Sequence, residues 1–304
     1  MEIKNIAIIA GNSATVKNGH IKFMPSIVDP KNKEVVDDKE SHFVDRADFR
    51  SDANFSSGKL EFTLRCKSYD TSVLVVLHTI EGKKVTCGYN RLWGTFLIAI
   101  QEGKDLKKLS TGGKLDNYEL DTEIRFQISI KGSQIDLLIN NIVLCSANIS
   151  VKDSPIEFAT ASTGEFDLYN IVKHSSKPRA FVVMQFSKEY DDLYEEVIRP
   201  VTEKYGYECI RADEYYTGTP ILNDIIKSIK DSSIVIAEIT PDNPNVFYEI
   251  GYSHAIGKPT ILLCDKIRDK LPFDISSFRT LFYENTIAGK KKVENSLMKY
   301  LENV

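Results

Sequence analysis

The chain has 304 residues, of which 42% are hydrophobic and 27% charged, with a formal net charge of −4. This composition is that of a soluble globular protein, long enough for about two domains, and its acidic balance excludes the basic footprint of a nucleic-acid groove. No uninterrupted apolar run approaches the roughly 18 residues that a membrane helix needs.

The opening MEIKNIAIIAGNS lacks the basic and apolar regions of a signal peptide. Five cysteines, Cys66, Cys87, Cys145, Cys209 and Cys264, are odd in number and form no CxxC pair. They point to a reducing cytoplasm rather than to a disulfide framework or a zinc site. Up to about residue 175 the pattern has period two. Leu60, Phe62, Leu64 and Cys66 share one face of Lys59–Lys67, as do Ile124, Phe126, Ile128 and Ile130 in Glu123–Ile130. Such alternation predicts half-buried strands. Further strands are expected at Thr71–Ile80, Val85–Tyr89, Thr95–Gln101, QIDLLI, IVLCSANI, Ile156–Ala161 and Phe166–Val172, with hairpin signals at Lys131-Gly132-Ser133 and Asn140-Asn141. The expected fold over residues 1–174 is an all-β antiparallel sandwich. Within it, GYNRLWG (88–94) offers Tyr89 and Trp93 as a sugar platform, with packing into the core or a hairpin as the alternative.

The segments FRSDANFSSGKLEFTLR (49–65) and IRFQISIKGSQIDLLINNIVL (124–144) resemble the concanavalin/laminin-G type of sandwich. The resemblance implies a sensor or assembly module whose ligand, a sugar or a protein, the sequence does not name.

The polar KHSSKP (173–178) marks the expected junction, and residues 178–304 follow a different rule. Ala180–Phe186 is a continuous apolar run, as in a parallel strand covered on both faces. Strands at Tyr207–Ala212, Ile234–Ile239, Thr260–Cys264 and Thr280–Tyr283 then alternate with helices at Tyr190–Lys204, Ile221–Lys230, Asn245–Ile256 and from about Lys291. The alternation predicts a flavodoxin-like α/β domain, a doubly wound five-stranded parallel sheet in the order 2-1-3-4-5. Its ligands belong at the carboxyl ends of the strands. Candidate binding residues there are Gln185, Phe186 and Ser187 after the first strand, Arg211, Asp213 and Tyr216 after the second, and Thr240, Asp242, Asn243 and Asn245 after the third. There is no GxxxxGK[ST] or GxGxxG phosphate cradle.

Glu249 lies in the helix that follows, near its fourth position if Asn245 is the N-cap, with Tyr252 and Ser253 beside it and Val246, Ile250 and Gly251 toward the sheet. An acid at a helix start is favoured by the helix dipole alone. It is also the group that stabilises an anomeric carbon turning cationic as its leaving group departs, or that attacks it. Asp213, Glu238, Asp242 and Asp265 are candidates for a second acid, each with a solvated loop as the plainer explanation.

FVVMQFS (181–187), IRADE (210–214), DSSIVIAEIT (231–240), NPNVFYEIGYSHAIGKP (243–259) and LPFD (271–274) resemble the nucleoside 2-deoxyribosyltransferase-like and TIR-like domains. The resemblance implies that Glu249 is catalytic and that the activity is N-glycosidic, with NAD or a related nucleotide as substrate and no cofactor. It also implies a regulated effector of antiphage defence that self-associates on activation. A nucleotide-binding interaction module and a deoxyribosyltransferase are the alternatives.

Overall fold

The computed structural model describes residues 1–26, 44–79, 81–103, 105–214, 221–268, 270–276 and 278–302. Fourteen strands come first: β1 (Ile6–Ala10), β2 (Ala14–Lys17), β3 (His20–Phe23), β4 (Asp45–Phe55), β5 (Gly58–Cys66), β6 (Thr71–His78), β7 (Lys84–Asn90), β8 (Thr95–Glu102), β9 (Asp105–Gly112), β10 (Ile124–Lys131), β11 (Gln134–Ile139), β12 (Ile142–Asn148), β13 (Ser154–Ser162) and β14 (Phe166–Ser175). They form two seven-stranded sheets, in the orders β1-β4-β13-β6-β7-β8-β9 and β12-β11-β10-β5-β14-β3-β2. The pairings assigned among them are antiparallel, and hydrophobic alternation sets their register. Leu60, Phe62 and Leu64 of β5 face Ile128, Phe126 and Ile124 of β10, all of them buried. Phe62 stacks on Phe126 with ring centres 4.8 Å apart and meets Phe158 of the other sheet edge-on at 5.4 Å, so one aromatic ring joins both layers. Each such side chain contributes on the order of 2 kcal/mol when fully buried.

Beyond β14 come β15 (Arg179–Val183), α1 (Lys188–Leu193), a π-turn, α2 (Arg199–Lys204), β16 (Glu208–Arg211), α3 (Ile221–Asp231), β17 (Ile234–Glu238), α4 (Pro244–Ala255), β18 (Thr260–Asp265), β19 (Thr280–Tyr283) and α5 (Ile287–Leu301). The five strands form a parallel sheet in the order β16-β15-β17-β18-β19. Both faces of β15 are covered, which explains its unbroken apolar run. Ala180 and Val182 pack with Tyr194, Val197, Ile198, Val201 and Leu297. Phe181 and Val183 pack with Ile229, Val246, Ile250 and Ile275 on the other face.

The fold class expected from the sequence is corrected in its balance. The chain is mostly β, with two large antiparallel sheets of seven strands each and a smaller parallel sheet. Reading by alternation passed over β1 to β4 and β9. In β4 the buried positions are Ala47, Phe49, Ser51, Ala53 and Phe55, and three of those five side chains are too small to mark a hydrophobic face. In β9, DLKKLSTG has no fully buried residue.

The chain divides into two compact units, residues 1–130, 135–147 and 151–176 in one and 131–134, 148–150 and 177–304 in the other. No helix among the described residues is long and apolar enough to cross a membrane. All five cysteines are free thiols, four of them buried.

Candidate functional site

In the second unit the end of β17 turns sharply and delivers the chain to α4. Asn243, not Asn245, caps this helix. Its side chain accepts from the Asn245 amide at 3.0 Å, and Pro244 takes the first helical position, where its missing N–H is no loss. The shifted start places Glu249 deeper in the helix than the sequence suggested. Val246 and Ile250 are buried against the sheet, whereas Gly251 is exposed with open space around it and allows no close approach.

A cavity of about 410 Å³ opens beside this helix, lined by Met184, Phe186, Ala212, Leu222, Ile225, Asn243, Asn245, Val246, Tyr248 and Glu249. That volume lies within the range of small-ligand sites. Phe186 and Tyr248 are about half exposed, at 53% and 52%, and frame the opening. Glu249 is only 8% exposed. Among the described residues no donor reaches its carboxyl group, and burial alone raises its pKa to about 7. Its backbone carbonyl accepts from Ser253 Oγ at 2.8 Å.

Of the residues expected at the strand tips, Phe186, Asn243, Asn245 and Glu249 meet in this cavity. Arg211 does not line it. The residue is 9% exposed, and its guanidinium grips Asp213 through Nε and Nη2 at 2.7 Å each and donates to Asp191 at 2.9 Å. Arg211 and Asp213 therefore satisfy each other. Asp242 is exposed and pairs with Arg268 at 2.5 Å. Tyr252 packs against the core on the β17 side. Ser187 precedes α1, and its buried Oγ has no hydrogen-bond partner among the described residues. Gln185 is half-buried and outside the cavity lining. Tyr216 lies outside the described residues. Met184, Leu222, Ile225 and Tyr248 also line the cavity, and for the first three no residue pattern marks them. For Tyr248 the clue was its place next to Glu249.

None of the proposed second acids lines this cavity. Glu238 is fully buried and belongs to a separate cluster. It accepts from the Thr240 amide at 3.1 Å on both oxygens, from Thr240 Oγ1, and from Tyr283 Oη at 3.0 Å. Burial outweighs these bonds and pushes its pKa up to about 7. Thr240 Oγ1 in turn accepts from the Asp265 amide at 2.7 Å. In the sandwich, Tyr89 is 5% exposed and packs edge-on against Phe96 at 5.1 Å, so it is a core residue. Trp93 packs on Leu74, Leu97 and Ala99, and Lys108 Nζ stands 4.3 Å from its ring centre. The two aromatic rings thus form no open sugar platform.

No protein-family model matches the chain, and no curated protein is similar to it in sequence. Among solved structures, a carbohydrate-binding module from Bacillus subtilis is similar at 9% identity with a TM-score of 0.40, covering 57% of this chain and 97% of that one. A β-glucanase of Bacillus licheniformis is similar at 11% identity, TM-score 0.39, over 56% and 93% of the two chains. A prokaryotic β-1,3-1,4-glucanase derived from a mouse hindgut metagenome gives 12% identity, TM-score 0.33, over 52% and 81%.

The function implied by the deoxyribosyltransferase-like and TIR-like resemblance is corrected, along with its alternatives at a nucleotide and its place in antiphage defence. No Lys or Arg stands among the cavity-lining residues described, and Arg211 is held by two carboxylates. A pyrophosphate such as that of NAD would find no paired cation there, and an ionised Glu249 would repel it.

Proposed function

We propose that the chain cleaves a glycosidic bond of an uncharged carbohydrate, with Glu249 as the reactive carboxyl. One observation carries the reading. Among the described residues a single acid, 8% exposed and with no donor at its carboxyl group, borders a cavity of about 410 Å³ at the carboxyl edge of a parallel sheet. With its pKa raised to about 7 by burial, the group is divided between acid and anion near neutrality. The anion supports the positive charge that builds on an anomeric carbon, at little reorganisation cost because it is already held in place. It can also attack that carbon and form a glycosyl-enzyme, which water then resolves.

The other lining residues suit a sugar. Phe186 and Tyr248 offer apolar surface to the C–H faces of a pyranose, and the amides of Asn243 and Asn245 offer both donors and acceptors to its hydroxyls. No second carboxyl lines the cavity among the described residues, so substrates whose leaving group departs without a proton should react fastest.

The test uses a panel of dinitrophenyl glycosides, whose phenolate leaves unaided. The wild-type chain should release dinitrophenolate from at least one of them, with a rate that rises with pH and levels above about 7 as Glu249 ionises. Glu249→Gln should lose about a hundredfold or more, the scale of removing one preorganised stabilising group. No release by the wild type from any member, or equal rates for the two proteins, would overturn the proposal.

A further inference from the structure

Glu238 ends β17 and is fully buried, yet it lies outside the cavity lining. Its carboxyl gathers three donors from two places. The Thr240 amide and hydroxyl come from the loop that follows, and Tyr283 Oη comes from β19. Thr240 Oγ1 then accepts the Asp265 amide at the end of β18. The tips of β17, β18 and β19 are thus tied to one carboxyl within two residues of the loop leading to Asn243.

A second tie acts on the same loop. Arg268 Nη1 donates to the carbonyls of Ile239 and Thr240 at 2.7 and 2.8 Å, and its Nη2 pairs with Asp242. The loop so held ends at the N-cap of α4, and Asn243, Asn245 and Glu249 all line the cavity from there.

We infer that Glu238 is a positioning residue: through Thr240 it fixes the loop that sets the start of α4, and so holds the Glu249 carboxyl in its dry place beside the cavity. For its bearing on catalysis the inference rests on the proposed function, but its test needs no substrate. Glu238→Gln is the conservative control, because an amide oxygen at Oε1 can keep the Thr240 and Tyr283 donors. Glu238→Ala removes them all. Thr240→Val removes only the hydroxyl link, and serves if the alanine variant does not fold.

The experiment is nuclear magnetic resonance on the full chain, read as amide hydrogen exchange and as carboxyl titration of Glu249. In Glu238→Ala, exchange at Thr240, Asn245 and Asp265 should speed up by about tenfold or more, as expected for local opening, while Phe62 and Ile128 of the sandwich and Ile236 within β17 keep their protection. The Glu249 midpoint should fall from about 7 toward the ordinary glutamate range as water reaches it. Thr240→Val should shift both readouts the same way by less, and Glu238→Gln should restore them to within about threefold of wild type.

Unchanged exchange at Asn245, an unmoved Glu249 midpoint, or protection lost equally through β17 would each overturn the inference. If Glu249 titrates near 7 but no glycoside is cleaved, the proposed function fails and the positioning role stands. Cleavage that persists with an unmoved midpoint in the variants gives the reverse result.

Discussion

Glu238 and Glu249 are both buried acids, and burial lifts the pKa of each to about 7. Their surroundings differ in what opposes that burial. Glu238, at the end of a strand, accepts from Thr240 and Tyr283 and lies outside the cavity lining. Glu249, on a helix, has no donor among the described residues and borders an open volume. A raised pKa therefore does not by itself mark a reactive group. The acid left without partners, where a ligand could supply them, is the candidate for chemistry. The fully bonded acid is the candidate for structure.

The largest effect expected from breaking this comparison is on the bonded acid. Glu238→Ala removes the acceptor of the half-buried Thr240 amide and hydroxyl and of the buried Tyr283 hydroxyl. Unsatisfied buried groups of this kind cost 1–3 kcal/mol each in ordinary cases, so a loss of roughly 4 kcal/mol is expected by urea unfolding at pH 6. A loss below about 1 kcal/mol would show that the cluster relaxes or is hydrated.

Next comes Glu249, where the sign reverses. Its folded pKa is raised from 4.5 to about 7, so its favourable contribution is complete below pH 4.5 and is lost as pH rises through 7. Glu249→Gln carries no such penalty. At pH 8 the variant should be more stable than wild type by up to about 3 kcal/mol, and at pH 4 nearly equal to it. A glutamine variant less stable at pH 8 would mean that the carboxylate has a partner after all.

Lys258 extends the contrast to a buried cation. It is 3% exposed, its Nζ donates to the carbonyls of Lys230 and Ser232 at the end of α3, and burial lowers its pKa from 10.5 to about 7. A depressed pKa means that its contribution is full above 10.5 and lost as pH falls through 7. Wild-type stability should therefore climb by about 1 kcal/mol per pH unit across part of that window, and Lys258→Met should flatten the climb. Parallel slopes for the two proteins in pH-resolved melting would refute the assignment.

Much of this could be read from residues alone, for identifiable reasons. Long apolar alternation, as in Leu60-Phe62-Leu64, places a strand because its side chains have only one dry side to occupy. The run at Phe181–Val183 is apolar throughout because the strand has two dry sides. Strands held by backbone pairing over small or charged residues, such as β4 and β9, carry no such signature. At the site, Glu249, Phe186, Asn243 and Asn245 were legible because a parallel sheet brings its strand tips together. For Arg211 a sequence shows that a guanidinium is present but not that Asp191 and Asp213 already hold it. The role of Glu238 was hidden for the same reason, since its Tyr283 partner comes from a distant strand that registry alone brings near.

The smallest expected effect separates two kinds of contact made by one side chain. Arg268 binds the part-buried carbonyls of Ile239 and Thr240, and it also pairs with Asp242, whose side chain is 82% exposed. Exposed ion pairs contribute on the order of 0.5 kcal/mol because water screens them and two long chains must be ordered. Asp242→Asn should therefore change stability by no more than about 0.5 kcal/mol. Arg268→Lys has one nitrogen where the guanidinium uses Nη1 for both carbonyls and Nη2 for Asp242, so it cannot hold all three partners at once and should cost roughly 1–2 kcal/mol. If the two substitutions cost the same, the ion pair rather than the carbonyl clamp holds the loop, and Glu238 would then be its main support from inside.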